Sequence, residues 1–318
     1  IAAFDAVEGK AKAFCERHGK GKAYDDLESF LSDPEIEAIT IATPSGYHLD
    51  PALAAIKHKK HVIIEKPMEI TPEREAMIID AAKKEGVYVT GVFQSRFYDA
   101  PQLIKKAIEE NRFGRLTLCD AQVKWFRSQE YYDSGAWRGT WKVDGGGALM
   151  NQSIHAIDLL QWFCGKAEEV QAFTATLAHE RIEVEDTGVA VVKFKNGALG
   201  VIEGSTSVYP GFLKKIEICG TEGSVVLEEE SLKVWSFKNE RPEDAQIRER
   251  FENMTKAGGG ASDPKAINTL GHEKQFNDFA SAIIEKREPA VSAESASEAV
   301  KIITAIYESS RSGKVVKV

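Results

Sequence analysis

Three short apolar runs, Ala38 to Thr43, His61 to Glu65 and Val87 to Phe93, alternate with helical stretches. This alternation constrains the fold more than any other feature of the chain. Runs this short and continuous suit strands buried on both faces. Pro51 to Lys59 reads as the first intervening helix. Thr71 and Pro72 open the second, with Thr71 as N-cap, Pro72 at the first helical position and Gly86 as the stop beyond Lys84. The order β-α-β-α-β is half of a doubly wound parallel sheet, which gathers ligands at the carboxyl ends of its strands. Ile1 to Phe4 reads as a further strand ending at Asp5, followed by helical sequence from Val7 to His18 and a short helix around Asp26 to Leu31.

From about Pro101 the pattern changes. A helix (Pro101 to Glu110) precedes a long strand (Leu116 to Phe126), and later runs at Thr187 to Lys195, Ala198 to Ser207, Lys214 to Cys219 and Ser224 to Leu227 are joined by Asn196-Gly197 and Glu222-Gly223 turns. This predicts an α+β domain built on a mainly antiparallel sheet, and a division of the chain into 1–97 and 98–318. Helices at His272 to Glu285 and Ser295 to Arg311 close the chain, the last with Ala299, Ile302, Ile303 and Ile306 on one face. Asn239 to Lys265, polar and glycine-rich, reads as a mobile loop.

The formal net charge is -8 with no long basic stretch, which argues against a nucleic-acid partner. Cys15, Cys119, Cys164 and Cys219 are scattered without metal-like spacing, so no metal site is expected and a reducing, cytoplasmic setting fits best. No apolar run reaches the roughly 18–20 residues of a membrane helix, and no membrane association is expected.

Two polar clusters stand out. Glu65-Lys66-Pro67 follows a buried strand, and Gly145-Gly146-Gly147 leads into Asn151, His155 and Asp158 on an expected helix. A lysine at a strand's carboxyl end and a histidine on a separate helix can converge on one substrate hydroxyl. Histidine has a pKa near neutrality and suits a general base, while an ammonium stabilises developing alkoxide. Asn151 and His155, four apart, would share a helical face. Asp158 either contacts substrate or bonds to the backbone. Arg96 and Arg138 can hold an anionic group, and Trp137 and Trp141 either stack on a sugar or fill core. The glycine run reads as close backbone packing, since no strand-to-helix phosphate cradle surrounds it.

The ordered set Ala42-Thr43-Pro44-Ser45 with His48, Glu65-Lys66-Pro67, Gln94-Ser95-Arg96-Phe97, His155-Ala156-Ile157-Asp158 and Gly220-Thr221-Glu222-Gly223 resembles the glucose-fructose oxidoreductase / inositol dehydrogenase (Gfo/Idh/MocA) family of NAD(P)-dependent oxidoreductases. The Trp137 to Trp141 and Asn151 to His155 segments are similar to members acting on nucleotide-linked amino sugars. The resemblance implies a Rossmann domain, an open-faced sheet domain forming homodimers or homotetramers, and hydride transfer between a carbohydrate hydroxyl and a nicotinamide. Two other activities of the fold stay open: redox-neutral, NAD-dependent glycoside cleavage and non-catalytic NAD sensing. The resemblance also implies Lys66 and His155 as catalytic, often with a cis Lys66–Pro67 bond. Asn151, Asp158, Arg96, Arg138 and Trp137 are expected to bind substrate, and Asp5, Thr43, Pro44, His48, Glu65, Lys66, Pro67 and Gln94 the cofactor. Asp5, at the end of its strand, would accept hydrogen bonds from ribose hydroxyls and repel a 2′-phosphate, favouring NAD over NADP. Two departures follow. The Gly-x-Gly-x-x-Gly loop, with the first strand and helix of such a sheet, is absent, so this stretch alone is expected to bind NAD poorly and to be inactive. Asn151 also stands where many members carry Asp, which bears on a catalytic Asp-His dyad.

Overall fold

The structure, a computed structural model, describes residues 1–252 and 269–318. Strand β1 (Ala2–Phe4) pairs in parallel with β2 (Lys22–Tyr24) across α1 (Lys10–His18). After α2 (Leu27–Ser32), strands β3 (Ala38–Ile41), β4 (His61–Ile64) and β5 (Val89–Gly91) form a second parallel ladder. The crossovers are α3 (Leu49–Lys57) and α4 (Pro72–Glu85). Helix α4 starts where the sequence places it. The Arg74 amide donates to the Thr71 hydroxyl at 3.3 Å, and Gly86 ends the helix in the left-handed region at φ +68°.

Helix α5 (Asp99–Glu109) leads into β6 (Leu116–Lys124), and α6 (Gln129–Asp133) follows. A π-helical turn (Ala148–Ser153) runs straight into α7 (Ile154–Cys164). Strands β7 (Ala167–Ala175), β8 (Thr187–Phe194), β9 (Leu199–Ser205), β10 (Lys215–Gly220), β11 (Gly223–Glu228) and β12 (Ser231–Phe237) come next. Helices α8 (Pro242–Glu252), α9 (Leu270–Glu285) and α10 (Ala293–Ser312) precede β13 (Val316–Lys317).

The second sheet has the order β12-β11-β10-β6-β9-β8-β7-β13 and is antiparallel except where β6 runs parallel to β9. Its strands β7 and β12 lie outside the strands expected from sequence because their alternation is broken, by Glu168-Glu169 in β7 and by Val234-Trp235 in β12. The stretch expected to be a loop begins with α8, which is anchored because the buried Asp244 accepts a bidentate bond from Arg112 at 2.8 and 2.6 Å and one from the Trp235 indole at 2.7 Å. The remainder of that expected loop lies outside the described residues.

One face of this sheet packs on α7, with Ile154, Ile157 and Leu160 meeting Ala121, Val192 and Ile202 in one buried cluster. The apolar face of α10 joins the same cluster through Ala299, Ile302, Ile303 and Ile306. Among the described residues the other face is uncovered: Phe173 is 79% exposed, Leu199 56%, Val191 54% and Leu118 47%. The carboxyl-terminal helices serve both sheets. Phe279 of α9 packs on Ile63 and Val92, and the Thr90 hydroxyl donates to the Val291 carbonyl at 2.7 Å. The parallel strands are therefore held against residues that come two hundred positions later, and the cleft between the sheets is fixed from both sides.

Candidate active site

Lys66 leaves the carboxyl end of β4 through a cis bond to Pro67. Its ammonium donates to the Asn151 carbonyl at 2.8 Å, a contact spanning 85 residues. That carbonyl belongs to the π-helical turn, and His155 lies in the first turn of α7 just beyond it. The strand-end lysine and the helix histidine therefore share one cleft. Burial is the main cause lowering the Lys66 pKa from its ordinary value, with Glu65 and Asp144 opposing it and Arg138 reinforcing it. The His155 pKa lies well below the ordinary range, first through burial and then through the charges of Lys66, Lys214 and His272. An imidazole in this setting is neutral at pH 7 and can accept a proton.

His155 and Gln94 both keep unused hydrogen-bonding capacity. His155 Nδ1 and Gln94 Oε1 are buried without a hydrogen-bond partner among the described residues, while Gln94 Nε2 stands 3.5 Å from His155 Nε2. Buried polar atoms are rarely left unpaired, and two of them on adjoining side chains make this centre a candidate for completion by another molecule. Thr43 and Pro44 follow β3, Glu65 to Pro67 follow β4, and Gln94 follows β5, so the candidate cofactor residues line the carboxyl edge of one parallel ladder. Asp5 follows β1, exposed, with its carboxylate accepting from the Val7 amide at 2.8 Å. His48 has a different part. It is 1% exposed, with Nδ1 2.9 Å from the Pro67 carbonyl and Nε2 2.8 Å from the Thr43 carbonyl, so it ties two strand-end loops together and does not face a ligand.

Two expected substrate residues lie elsewhere. Arg96 and Asp158 form a bidentate pair at 2.8 and 2.5 Å, 2% and 0% exposed. Arg96 also donates to the Ser295 hydroxyl at 2.7 Å. This pair ties the 3-10 turn Gln94–Phe97 to α7 and α10 inside the protein, and no surface remains on either for a substrate. Arg138, in contrast, sits at the cleft. Its guanidinium stacks 4.5 Å from both the Trp137 and Tyr131 rings and donates to the Tyr131 hydroxyl at 2.8 Å.

Asn151 does not orient the imidazole as a helical partner. The wide π turn replaces the α geometry assumed for a spacing of four, and the Asn151 amide donates to Asp144 at 2.5 Å. Asp144, absent from the sequence reading, is 3% exposed and also accepts from the Gly139 amide at 2.9 Å. Burial raises its pKa, while its bonds to Gly139 and Asn151 and the charges of Lys66 and Arg138 counter that. A carboxyl group is thus present beside Lys66 although Asn151 is neutral. Gln152 was missed as well. It donates to the Tyr131 hydroxyl at 2.9 Å and accepts from Arg127 at 2.9 Å, extending a polar rack along the cleft. Neither residue carries a local signal, since each acts through partners far along the chain.

Residues 1–93 match the oxidoreductase family with an NAD-binding Rossmann fold, and residues 102–226 match the GFO/IDH/MocA carboxyl-terminal domain. The WlbA dehydrogenase from Bordetella pertussis, solved with NADH and UDP-GlcNAcA, is 34% identical and superposes with a TM-score of 0.90, covering 100% of this chain and 89% of that one. This chain belongs to the GFO/IDH/MocA family. Levoglucosan dehydrogenase of Pseudarthrobacter phenanthrenivorans is 29% identical over 254 residues, 73% of this chain and 63% of that protein. Myo-inositol 2-dehydrogenase of Thermotoga maritima is 30% identical over 230 residues, 70% of this chain and 65% of that protein. The matched stretch thus spans under two thirds of these curated relatives.

Proposed function

We propose that this protein is an NAD-dependent dehydrogenase that oxidises a secondary hydroxyl of a nucleotide-linked amino sugar. The observation that carries the reading is the Lys66 ammonium bonded to the Asn151 carbonyl in the cleft that also holds His155. Support for the sugar-nucleotide class comes from the Trp137 to Trp141 and Asn151 to His155 segments and from the likeness to a dehydrogenase solved with UDP-GlcNAcA. Arg138 and Lys214 add cationic groups near the same centre, suited to an anionic substrate.

NAD fits the residues present: Asp5, Thr43, Pro44, Glu65, Lys66, Pro67 and Gln94 would hold it, with His48 shaping two of the loops. When bound it supplies the hydride acceptor. Lys66 donates a hydrogen bond to the carbinol oxygen and stabilises the negative charge that grows there. His155, neutral at working pH, takes the hydroxyl proton. The Asn151 carbonyl holds the ammonium in place, and the charge of Asp144 favours its protonated form. Asp5 favours NAD over NADP by repelling a 2′-phosphate.

The exposed apolar face of the second sheet supports a homodimer or homotetramer formed through it. Four free thiols support a reducing, cytoplasmic setting. No helix among the described residues is long and apolar enough to cross a membrane. The test of function is a screen of the full-length protein with NAD against UDP-linked amino sugars, free sugars and cyclitols, read by absorbance of reduced nicotinamide. Turnover of a UDP-linked sugar is expected. Tight NAD binding with no reduction by any of them would overturn the dehydrogenase reading in favour of sensing, and bond cleavage without net reduction would favour the redox-neutral glycosidase.

A further inference from the structure

Glu185, just ahead of β8, is buried beneath the glycine run with 3% exposure. Its two carboxylate oxygens accept from the Gly147 amide at 3.0 Å and the Leu149 amide at 2.8 Å, and its own backbone carbonyl accepts from the Ala148 amide at 3.1 Å. One residue thereby satisfies three consecutive amides at the opening of the π-helical turn. Amides at a helix start have no partner within the helix and attract negative charge. Tyr307 of α10 donates a further bond to the carboxylate at 3.0 Å and meets the Trp141 ring edge-on at 5.0 Å. The packing explains the glycines. A Cβ at Gly147 would stand 1.8 Å from the Glu185 carbonyl oxygen, and one at Gly146 would stand 2.1 Å from the Tyr307 hydroxyl.

We propose that Glu185 is a positioning residue of the active site, its carboxylate capping the turn that presents the Asn151 carbonyl to Lys66 and leads into His155. The kinetic part of this inference rests on the dehydrogenase reading; the structural part does not. Tyr307 from α10 and Tyr132 from α6 are the titratable groups facing Glu185, and no cation pairs with it among the described residues. Burial pushes its carboxyl up to about 7, against the bonds from Leu149, Gly147 and Tyr307. Below that pH the protonated group offers the two amides one fewer charged oxygen, and the turn loosens where it meets Lys66.

The experiment uses the full-length protein with histidine labelled for NMR, comparing wild type, E185Q and Y307F, the His155 signal being identified by its loss in H155Q. The wild-type His155 resonance should show an inflection near pH 7 besides its own titration at lower pH. E185Q should lack that inflection. Y307F should move it to higher pH, because the tyrosine hydroxyl favours the ionised carboxylate. With substrate, E185Q should lower kcat by about 10- to 100-fold through misplacement while leaving the KM for NAD within about twofold of wild type. Wild-type titration and kcat in a folded E185Q would overturn the inference, as would an unmoved inflection in Y307F should E185Q fail to fold. Absence of turnover in the wild type would instead count against the dehydrogenase reading, and the NMR comparison would still decide the role of Glu185.

Discussion

At the scale of single residues, the site depends on what burial does to two titratable groups. His155 loses its proton well below the ordinary histidine range because charging it would cost solvation and would face the Lys66 ammonium. Its base form is therefore present at neutral pH and disappears only as pH falls beneath that range. Lys66 is also shifted downward by burial, but Glu65 and Asp144 oppose the shift, and the ammonium keeps its bond to Asn151. Lys66→Met should lower kcat by about 10²- to 10³-fold through loss of alkoxide stabilisation. NAD binding by fluorescence titration should change little. A different outcome is expected at Arg96, which resembles a substrate residue in the sequence and is a core residue in the fold. Arg96→Met strands the Asp158 carboxylate and should cost about 3–5 kcal/mol of stability by denaturant titration. Lys66 and His155 stand out in the sequence as candidates through the ordered motifs around them, with a strand end and a helix start as their local settings. Asp144, Gln152 and Glu185 are not, because their neighbours in sequence say nothing of the partners they meet across the cleft.

The elements repeat that division. Helix α4 is written locally, in Thr71, Pro72 and Gly86, and its start and stop follow from capping alone. Its packing is not. Glu75 of α4 is 0% exposed, and neither carboxylate oxygen accepts a hydrogen bond of good geometry among the described residues. Burial raises its pKa well above the ordinary carboxylate value, the Glu69 backbone amide and then Lys301 of α10 opposing the shift, and the charges of Glu69 and Glu298 adding to it. The folded state thus binds this proton more tightly than the unfolded chain. Stability from this group is full below the unfolded pKa and declines as pH rises toward the folded one. Glu75→Gln removes the decline, so its melting temperature should gain on the wild type steadily from weakly acidic to neutral pH. A constant difference across that range would contradict this account of the α4–α10 contact. Strands β7 and β12 were missed for a related reason: their registers are set by neighbours, β8 and β11, and their own sequences alternate poorly.

For the whole molecule, the mixed sheet presents α7 and α10 on one side and an apolar surface on the other. Phe173 pairs with Val189 across β7 and β8, and Leu118 with Leu199 across β6 and β9, so the exposed apolar residues lie side by side. Surfaces of this kind mark interaction sites. Val191→Lys should convert the assembled species to monomer by light scattering with its melting temperature nearly unchanged, since Val191 is 54% exposed in the single chain. A wild-type protein already monomeric at high concentration would remove the proposal of a sheet-mediated oligomer. The broad architecture was visible in the order of motifs, whereas the packing of α9 on the parallel ladder and of α10 on the large sheet's core depends on contacts no local pattern encodes. Those contacts hold α9 on the parallel ladder and α10 on the cluster that contains α7, the two supports on which the proposed joint action of Lys66 and His155 rests. A double-mutant cycle on kcat/KM, using Lys66→Met, His155→Gln and the pair in the full-length protein, tests the proposed joint action most directly. The account predicts that the double variant loses little more than the worse single variant, because either change already disables transfer from the shared carbinol. Losses that multiply independently would contradict it.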